Sequence, residues 1–362
     1  MKLRLQQCVS WLLFLCLSVP LASQAKEPVF AKVLPHHTLR FPQDRGAHPD
    51  FRTEWWYVTG WLTTPDNQTL GFQVTFFRSA TLHDRDNPSQ FAPQQLIIAH
   101  AAISDTTKGK LQHDQKIARA YPGIAEANVG DTNLKLHQWN LKREKNGIYQ
   151  VHIPAREFDL TLSLQPTQAM LLQGDQGYSR KGPKPEQASY YYSEPHLAVS
   201  GSLQSGNKKI TVNGQAWLDH EWSSTVLDPL AVGWDWTGIN LDDGSALMAF
   251  RIRKKDGGIL WQHASLRDAQ GKLTHFADKE IRFTPLRTWT SPRTQARYPV
   301  ALQLQLGTST WDLIPLQDDQ ELDARRTTGS VYWEGGIRVE RDKKLVGKGY
   351  LEMTGYVKPL KL

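Results

Sequence analysis

Cysteine is almost missing. Of 362 residues only Cys8 and Cys16 carry a thiol, and both fall in an N-terminal segment built like a secretory signal. Lys2 and Arg4 form its positive start, residues 9–22 its apolar stretch, and Ser23-Gln24-Ala25 its small-x-small cleavage site. Cleavage after Ala25 leaves a chain without cysteine. Disulfides are then excluded, and an exported, periplasmic protein must be held by its core alone. The apolar stretch is shorter than the about 20 residues a bilayer-spanning helix needs; an uncleaved anchor is the alternative reading. No later stretch is apolar enough to cross a membrane, and no small residue precedes Cys16 as a lipoprotein signal would require.

Runs of one charge are missing too. The formal net charge is +7, or +5 once Lys2 and Arg4 are removed, and the longest basic runs are pairs such as Lys208-Lys209 and Arg325-Arg326. Interspersed charge of this kind is a solvated surface and excludes a phosphate-tracking stripe, so no nucleic-acid partner is expected. There is no glycine-rich phosphate loop after a strand and no Gly-x-Ser-x-Gly elbow, hence no visible serine nucleophile. No His, Cys or carboxylate spacing matches a zinc site. Neither a cofactor nor a metal is expected.

What is abundant is tryptophan, thirteen in all, mostly in strand-like stretches, where large aromatics fill a core or line an apolar cavity. Helical periodicity is scarce. Residues 26–50 carry Pro28, Pro35, Pro42 and Pro49 and read as an irregular leader. From there short alternating runs and turn residues predict strands: a hairpin over 54–62 and 70–78, then 95–104, 134–141, 149–153, 158–165 and 197–203. Residues 81–95 and 174–187 read as long loops.

Three blocks then recur in order. Trp56-x-x-x-Gly60 followed by Phe77-Arg78 is echoed by Trp234-x-x-x-Gly238 and Phe250-Arg251. His100-Ala-x-Ile-x-Asp105 is echoed by His263-Ala-x-Leu-x-Asp268. Gly214-x-Ala-Trp-Leu-Asp219 is echoed by Gly347-x-Gly-Tyr-Leu-Glu352. The repeat predicts an all-β chain of two related antiparallel barrels, over residues 51–224 and 225–362, each closing its sheet edges around an apolar interior.

The stretch Gly214-Gln-Ala-Trp-Leu-Asp-His-Glu-Trp-Ser223 stands out chemically. With strand alternation, Trp217, Asp219 and Glu221 share one face and Leu218, His220 and Trp222 the other. His220 stands where the second copy has Met353, which is what a site would need; a core histidine with one hydrogen bond is the plainer alternative. Asp219 and Glu221 form a carboxylate pair for acid–base work, or pair with Arg or Lys at a barrel rim. Trp234-Asp235-Trp236 offers ring faces for a cation, or simply two buried tryptophans flanking an outward Asp235. His100 and His263, present in both copies, are expected to serve the fold.

The motifs Arg52-Thr-Glu-Trp-Trp-Tyr-Val-Thr-Gly60, Tyr192-Ser-Glu-Pro-His196, Ala216-Trp-Leu-Asp-His-Glu-Trp-Ser223, Gly233-Trp-Asp-Trp236 and the Gly347–Tyr356 stretch resemble the AttH-like and carotenoid 1,2-hydratase (hydroxyneurosporene synthase) family. The resemblance spans about residues 48–358. It implies two tandem lipocalin-like (calycin) barrels and an exported protein often associated with an inner-membrane ABC export system of the lipoprotein-release type. The hydratase branch adds water to an isolated C=C without a cofactor. It uses a His-x-Trp pair, matched by His220 and Trp222, and a Tyr-x-Asp pair, which residues 247–251 do not supply. Members are also labelled secreted hydrolases, for which no nucleophile is visible.

The leading expectation is a periplasmic lipocalin-like protein that binds an apolar isoprenoid or acyl lipid. In it Trp56, Trp222, Trp234, Trp236 and Glu221 contact the ligand. The alternatives are a hydratase in which His220, Asp219 or Asp235 moves protons, and a structural partner of a membrane complex that binds no small molecule.

Overall fold

The computed structural model describes residues 28–360 except 85, 88, 90 and 226; the expected signal, residues 1–25, lies outside them. Alternating strands form a first antiparallel sheet. Its members are β1 (Thr53–Thr63), β2 (Thr69–Ala80), β3 (Gln95–Ser104), β4 (Gln112–Arg119), β5 (Ala125–Ala127), β6 (Asn133–Leu136) and β7 (Trp139–Arg143), then β8 (Tyr149–Pro154), β9 (Asp159–Gln165), β10 (Leu171–Leu172), β11 (Tyr178–Arg180), β12 (Ala188–Ser205) and β13 (Lys208–Ser223). They pair in the order β4-β3-β2-β1-β13-β12-β9-β8-β7-β6-β5, with β10 and β11 on β12. β3 and β4 return against β5 and β6, so this sheet curls toward a closed barrel and leaves little free edge.

The second sheet holds β14 (Ala231–Leu241), β15 (Ala246–Lys254), β16 (Ile259–Arg267), β17 (Leu273–Phe276), β18 (Ile281–Thr290) and β19 (Arg297–Leu306), with β20 (Ser309–Pro315), β21 (Glu321–Ala324), β22 (Ser330–Arg341) and β23 (Lys344–Met353). Its order is β17-β16-β15-β14-β23-β22-β20-β19-β18, with β21 on β22. The run β17-β16-β15-β14-β23-β22 repeats β4-β3-β2-β1-β13-β12, which is the lipocalin-like tandem that the repeated blocks predict.

One block of that repeat is out of register. Trp56 lies opposite His220, whereas Asp235, not Trp234, lies opposite Met353. Trp56 is therefore the counterpart of Asp235. Matching it to Trp234 is a one-residue slip, and with a side-chain period of two a slip exchanges the faces of a strand: Trp56 is buried inside the first barrel and Trp234 packs between the sheets. The histidine block is in register, since His100 opposes Thr75 and His263 opposes Phe250.

Other differences have local causes. The single strand expected over 134–141 is the hairpin β6–β7, because His137 adopts a positive φ of 56° and the chain reverses there. Tyr190 to Leu203 is one long strand whose ladder is interrupted between Glu194 and Leu197, where Pro195 has no N–H to give and His196 turns to φ 51°. The loop expected over 174–187 includes β11. The described part of the leader is irregular apart from one 3-10 turn at Gln43–Arg45, yet it is part of the fold: Val33, Leu39 and Ala47 are buried in the first core.

Among the described residues the apolar groups gather in three large clusters and a small one around Ala102, Leu111, Leu322, Ala324 and Tyr332. One fills the first barrel and one lies within the second sheet. The third lies between the sheets and is made of Tyr57, Tyr191, Trp217, Trp236, Phe250 and Tyr350 with smaller neighbours. Burying such side chains contributes about 1.5–3 kcal/mol each. Directed bonds fix the docking: Trp61 Nε1 donates to the Gly349 carbonyl at 2.8 Å, Trp236 Nε1 to the Tyr191 hydroxyl at 3.1 Å, and His100 Nδ1 pairs with the Tyr332 hydroxyl at 2.7 Å. His100 thus joins the two sheets.

Gly214 on β13 allows the closest approach. A Cβ there would run into the Trp61 carbonyl oxygen, and neither backbone can yield within a continuous ladder. Gly214→Ala is expected to cost about 2 kcal/mol or more, read as a lower urea midpoint; an unchanged midpoint would contradict this packing.

Candidate functional site

β1 pairs along its whole length with β13, Thr53 opposite Ser223 through Thr63 opposite Asn213. Each therefore contributes alternate side chains to two compartments. Glu54, Trp56, His220 and Trp222 point into the first barrel. Trp55, Tyr57, Trp217, Asp219 and Glu221 point into the layer between the sheets.

The inward face holds a polar network. Glu54 Oε1 meets His220 Nε2 at 2.9 Å and His48 Nδ1 at 2.6 Å, while Arg78 Nε donates to Glu54 Oε2 at 2.7 Å. The second nitrogen of His220 lies 3.2 Å from the Tyr192 hydroxyl, and that of His48 lies 3.3 Å from Asp44. Trp56 stacks on His220 at 4.4 Å and His48 on Trp222 at 3.8 Å, so an indole face flanks each histidine. Beside them Arg45 from the leader pairs with Glu194, whose Oε1 also accepts the Tyr149 hydroxyl at 2.7 Å.

Electrostatics sort these groups. Burial alone would raise the Glu54 carboxyl, but hydrogen bonds from His220 and His48 and the charges of His48 and Arg78 outweigh it and hold Glu54 far below its ordinary value. Burial pushes His220 down to about 4 against the hydrogen bond and charge of Glu54, so it is neutral at pH 7. His48 goes the other way: burial would lower it, but bonds to Asp44 and Glu54 and their charges raise it.

The outward face borders a cavity of about 50 Å³, room for several waters or the branched end of an alkene. Aromatic rings of Trp55, Tyr57, Trp234, Trp236 and Phe250 form much of its wall. Asp219, Glu221, Glu352 and Lys181 supply its polar groups. Lys181 Nζ pairs with Glu221 at 2.9 Å and stands 4.2 Å from the Phe250 ring centroid. Asp219 accepts from Tyr191 at 2.7 Å, Ser193 at 2.5 Å and Trp217 Nε1 at 2.6 Å. Glu352 accepts from Trp234 Nε1 at 3.0 Å.

Burial raises Asp219 to about 7 despite its three donors, with the Glu221 charge adding to the effect. Glu352 also rises to about 7, through burial and then the charges of Asp219, Glu221 and Asp235, against the Trp234 bond. Behind it Glu334, which accepts the Tyr57 hydroxyl at 2.9 Å, is pushed well above the ordinary range by burial and by Glu352.

The residues singled out from the sequence thus fall in three places. Asp219, Glu221, Trp234 and Trp236 meet at the cavity. His220, Trp222 and Trp56 sit back to back with them inside the first barrel. Asp235 lies within the second sheet, paired with Arg251 at 2.6 Å and Arg253 at 3.1 Å and accepting the Tyr356 hydroxyl at 3.0 Å. It faces neither compartment.

Sequence reasoning missed Glu352, Lys181, Trp55 and Tyr57 at the cavity, and His48, Glu54, Arg78 and Arg45 in the barrel. The repeat itself pointed to Glu352, as the counterpart of Asp219. Nothing local marked His48, which reaches the barrel from the leader. Among the described residues His48, Glu54 and His220 are the group whose donor atoms converge as metal ligands would.

A family model described as AttH-like matches residues 32–356. No curated protein matches the chain. A crystal structure of a Nitrosomonas europaea protein assigned as AttH is 55% identical, covers 90% of this chain and 100% of its own, and superposes with a TM-score of 0.86. Kievitone hydratase from Nectria haematococca is 15% identical over 91% of this chain and 97% of its own, with a TM-score of 0.68. CghA in complex with Sch210972 is 12% identical over 91% and 97%, with a TM-score of 0.52. The last two share the fold.

The two acids near 7 set a pH dependence. Unfolded, such carboxyls titrate near 4, so between about pH 4 and 7 the folded chain holds protons that the unfolded chain has lost. The stability they lend is full below about pH 4 and is lost as pH rises to about 7. Glu352→Gln removes one such group. Its stability relative to the native chain is therefore expected to rise by roughly 2–3 kcal/mol from pH 4 to 7, measured by urea unfolding across that range. A constant difference would contradict the raised carboxyl.

Proposed function

The chain belongs to the AttH-like family, and from that footing we propose that it hydrates an isolated C=C of an apolar small molecule, an isoprenoid or acyl chain, in the cavity between the sheets. The observation that carries the reading is the pairing of two carboxyls poised near neutrality, Asp219 and Glu352, with a wall of tryptophan and tyrosine rings. Groups tuned to the working pH are what general acid–base catalysis needs. A hydratase of the same fold is in keeping with it.

The two acids divide the work by their surroundings. Three donors on Asp219 favour its anion, whereas Glu352 has the single bond from Trp234 and keeps the proton. Glu352 gives that proton to the less substituted alkene carbon. The π pair becomes the new C–H bond and leaves a tertiary cation, held against the faces of Trp234 and Trp236. Water attacks the cation. Asp219 takes the water's proton and returns it through cavity water to Glu352, restoring both groups. The cavity is sized for the reacting end of such a molecule, not for its whole length.

The test is turnover of an acyclic isoprenoid ending in an isopropylidene group, in water enriched in oxygen-18. A tertiary alcohol carrying the label is expected, with kcat at least 100-fold lower in Glu352→Gln. Equal rates in the variant would overturn the role of Glu352. Tight binding with no labelled alcohol would favour the carrier reading over catalysis.

A further inference from the structure

We propose that His48 Nδ1, Glu54 Oε1 and His220 Nε2 form a binding site for a divalent transition cation of the zinc class, at the seam between the leader and the first barrel. The three donor atoms lie within 4.8 Å of one another and come from three separate parts of the chain: the leader, β1 and β13. Two imidazoles and one carboxylate make a donor set that suits Zn²⁺, with a water completing four-coordination.

The surroundings orient each ligand from behind. His48 Nε2 faces Asp44 at 3.3 Å, a carboxylate–histidine pair aimed at the shared point. His220 Nδ1 faces the Tyr192 hydroxyl at 3.2 Å. Glu54 Oε2 takes Arg78 Nε at 2.7 Å and the His48 backbone N–H at 2.9 Å, which turns Oε1 toward the two imidazoles as the oxygen to bind metal. Such outer partners fix tautomer and ring orientation in metal sites. Trp56 and Trp222 stack on the two histidines and hold both rings at their angles.

Without metal, protons occupy the same positions, at 2.6 and 2.9 Å from Oε1. Tetrahedral zinc with bonds near 2.1 Å sets its ligands about 3.4 Å apart, so the His48 nitrogen moves off Oε1 by about 0.8 Å and the His220 nitrogen by about 0.5 Å, while the two nitrogens, within 4.8 Å of each other, settle to the same ligand spacing. On entry the metal displaces the proton on His48 Nδ1 to solvent. The His220 ring proton moves from Nε2 to Nδ1, where the Tyr192 oxygen accepts it. No electron is transferred. Sequence spacing gave no sign of this site, because 166 residues separate Glu54 from His220.

The test uses the full chain stripped with a chelator, then titrated with Zn²⁺ alone by calorimetry and with Co²⁺ by visible absorption. One Zn²⁺ per chain and an intense tetrahedral Co²⁺ spectrum are expected, with anomalous scattering at the zinc edge centred among the three donors. His48→Ala is expected to weaken binding at least 100-fold. Asp44→Asn, an isosteric substitution outside the apolar core, should weaken it about 10–100-fold. An absence of stoichiometric binding, a metal peak elsewhere, or an Asp44→Asn affinity equal to that of the native chain would overturn the proposal.

Discussion

The pairing of β1 with β13 is the constraint on which the rest depends. Once Trp56 opposes His220, alternation leaves no freedom: Glu54, Trp56, His220 and Trp222 must enter the first barrel, and Tyr57, Asp219 and Glu221 must enter the layer between the sheets. One ladder is thus the common wall of two compartments of different chemistry. Inward, charges are matched, with Arg78 and His48 against Glu54 and Asp44. Outward, carboxyls outnumber cations, since Asp219, Glu221, Glu334 and Glu352 gather where Lys181 is the cation at the cavity.

That imbalance is costly for stability and useful for chemistry. Buried carboxyls without matching cations are driven toward their neutral forms, and the layer between the sheets would be more stable with apolar groups in their place. Tyr57, Tyr191, Trp217 and Trp234 donate hydrogen bonds to these carboxyls, so the aromatic residues that fill the layer also make the acids tolerable there. The contrast with Glu54 is instructive. It is as deeply buried, but two imidazoles and a guanidinium hold it ionised.

Much of this was legible in the residues. The strand pattern, the tandem repeat and the opposed faces of the stretch from Trp217 to Trp222 follow from a period of two and from turn chemistry. Less was legible where a position depends on distant chain. Trp234 resembled Trp56 as a letter, but register, not identity, decides a face, and only the ladder to β23 reveals it. His48 and Arg45 lie in a proline-rich segment with no periodicity; what brings them to Glu54 and Glu194 is tertiary packing. Asp235 looked like a member of a tryptophan-flanked site because Trp234 and Trp236 are its neighbours. The pleat turns it away from both, toward Arg251 and Arg253.

The central claim is that the outward face of the shared wall, not the inward one, receives the reacting ligand. Its most direct measurement is a crystal structure of the chain with an isoprenoid amine whose ammonium nitrogen mimics the tertiary cation. The account expects that nitrogen against the faces of Trp234 and Trp236, within reach of Glu352. An ammonium found inside the first barrel, beside His220 and Trp222, would contradict it.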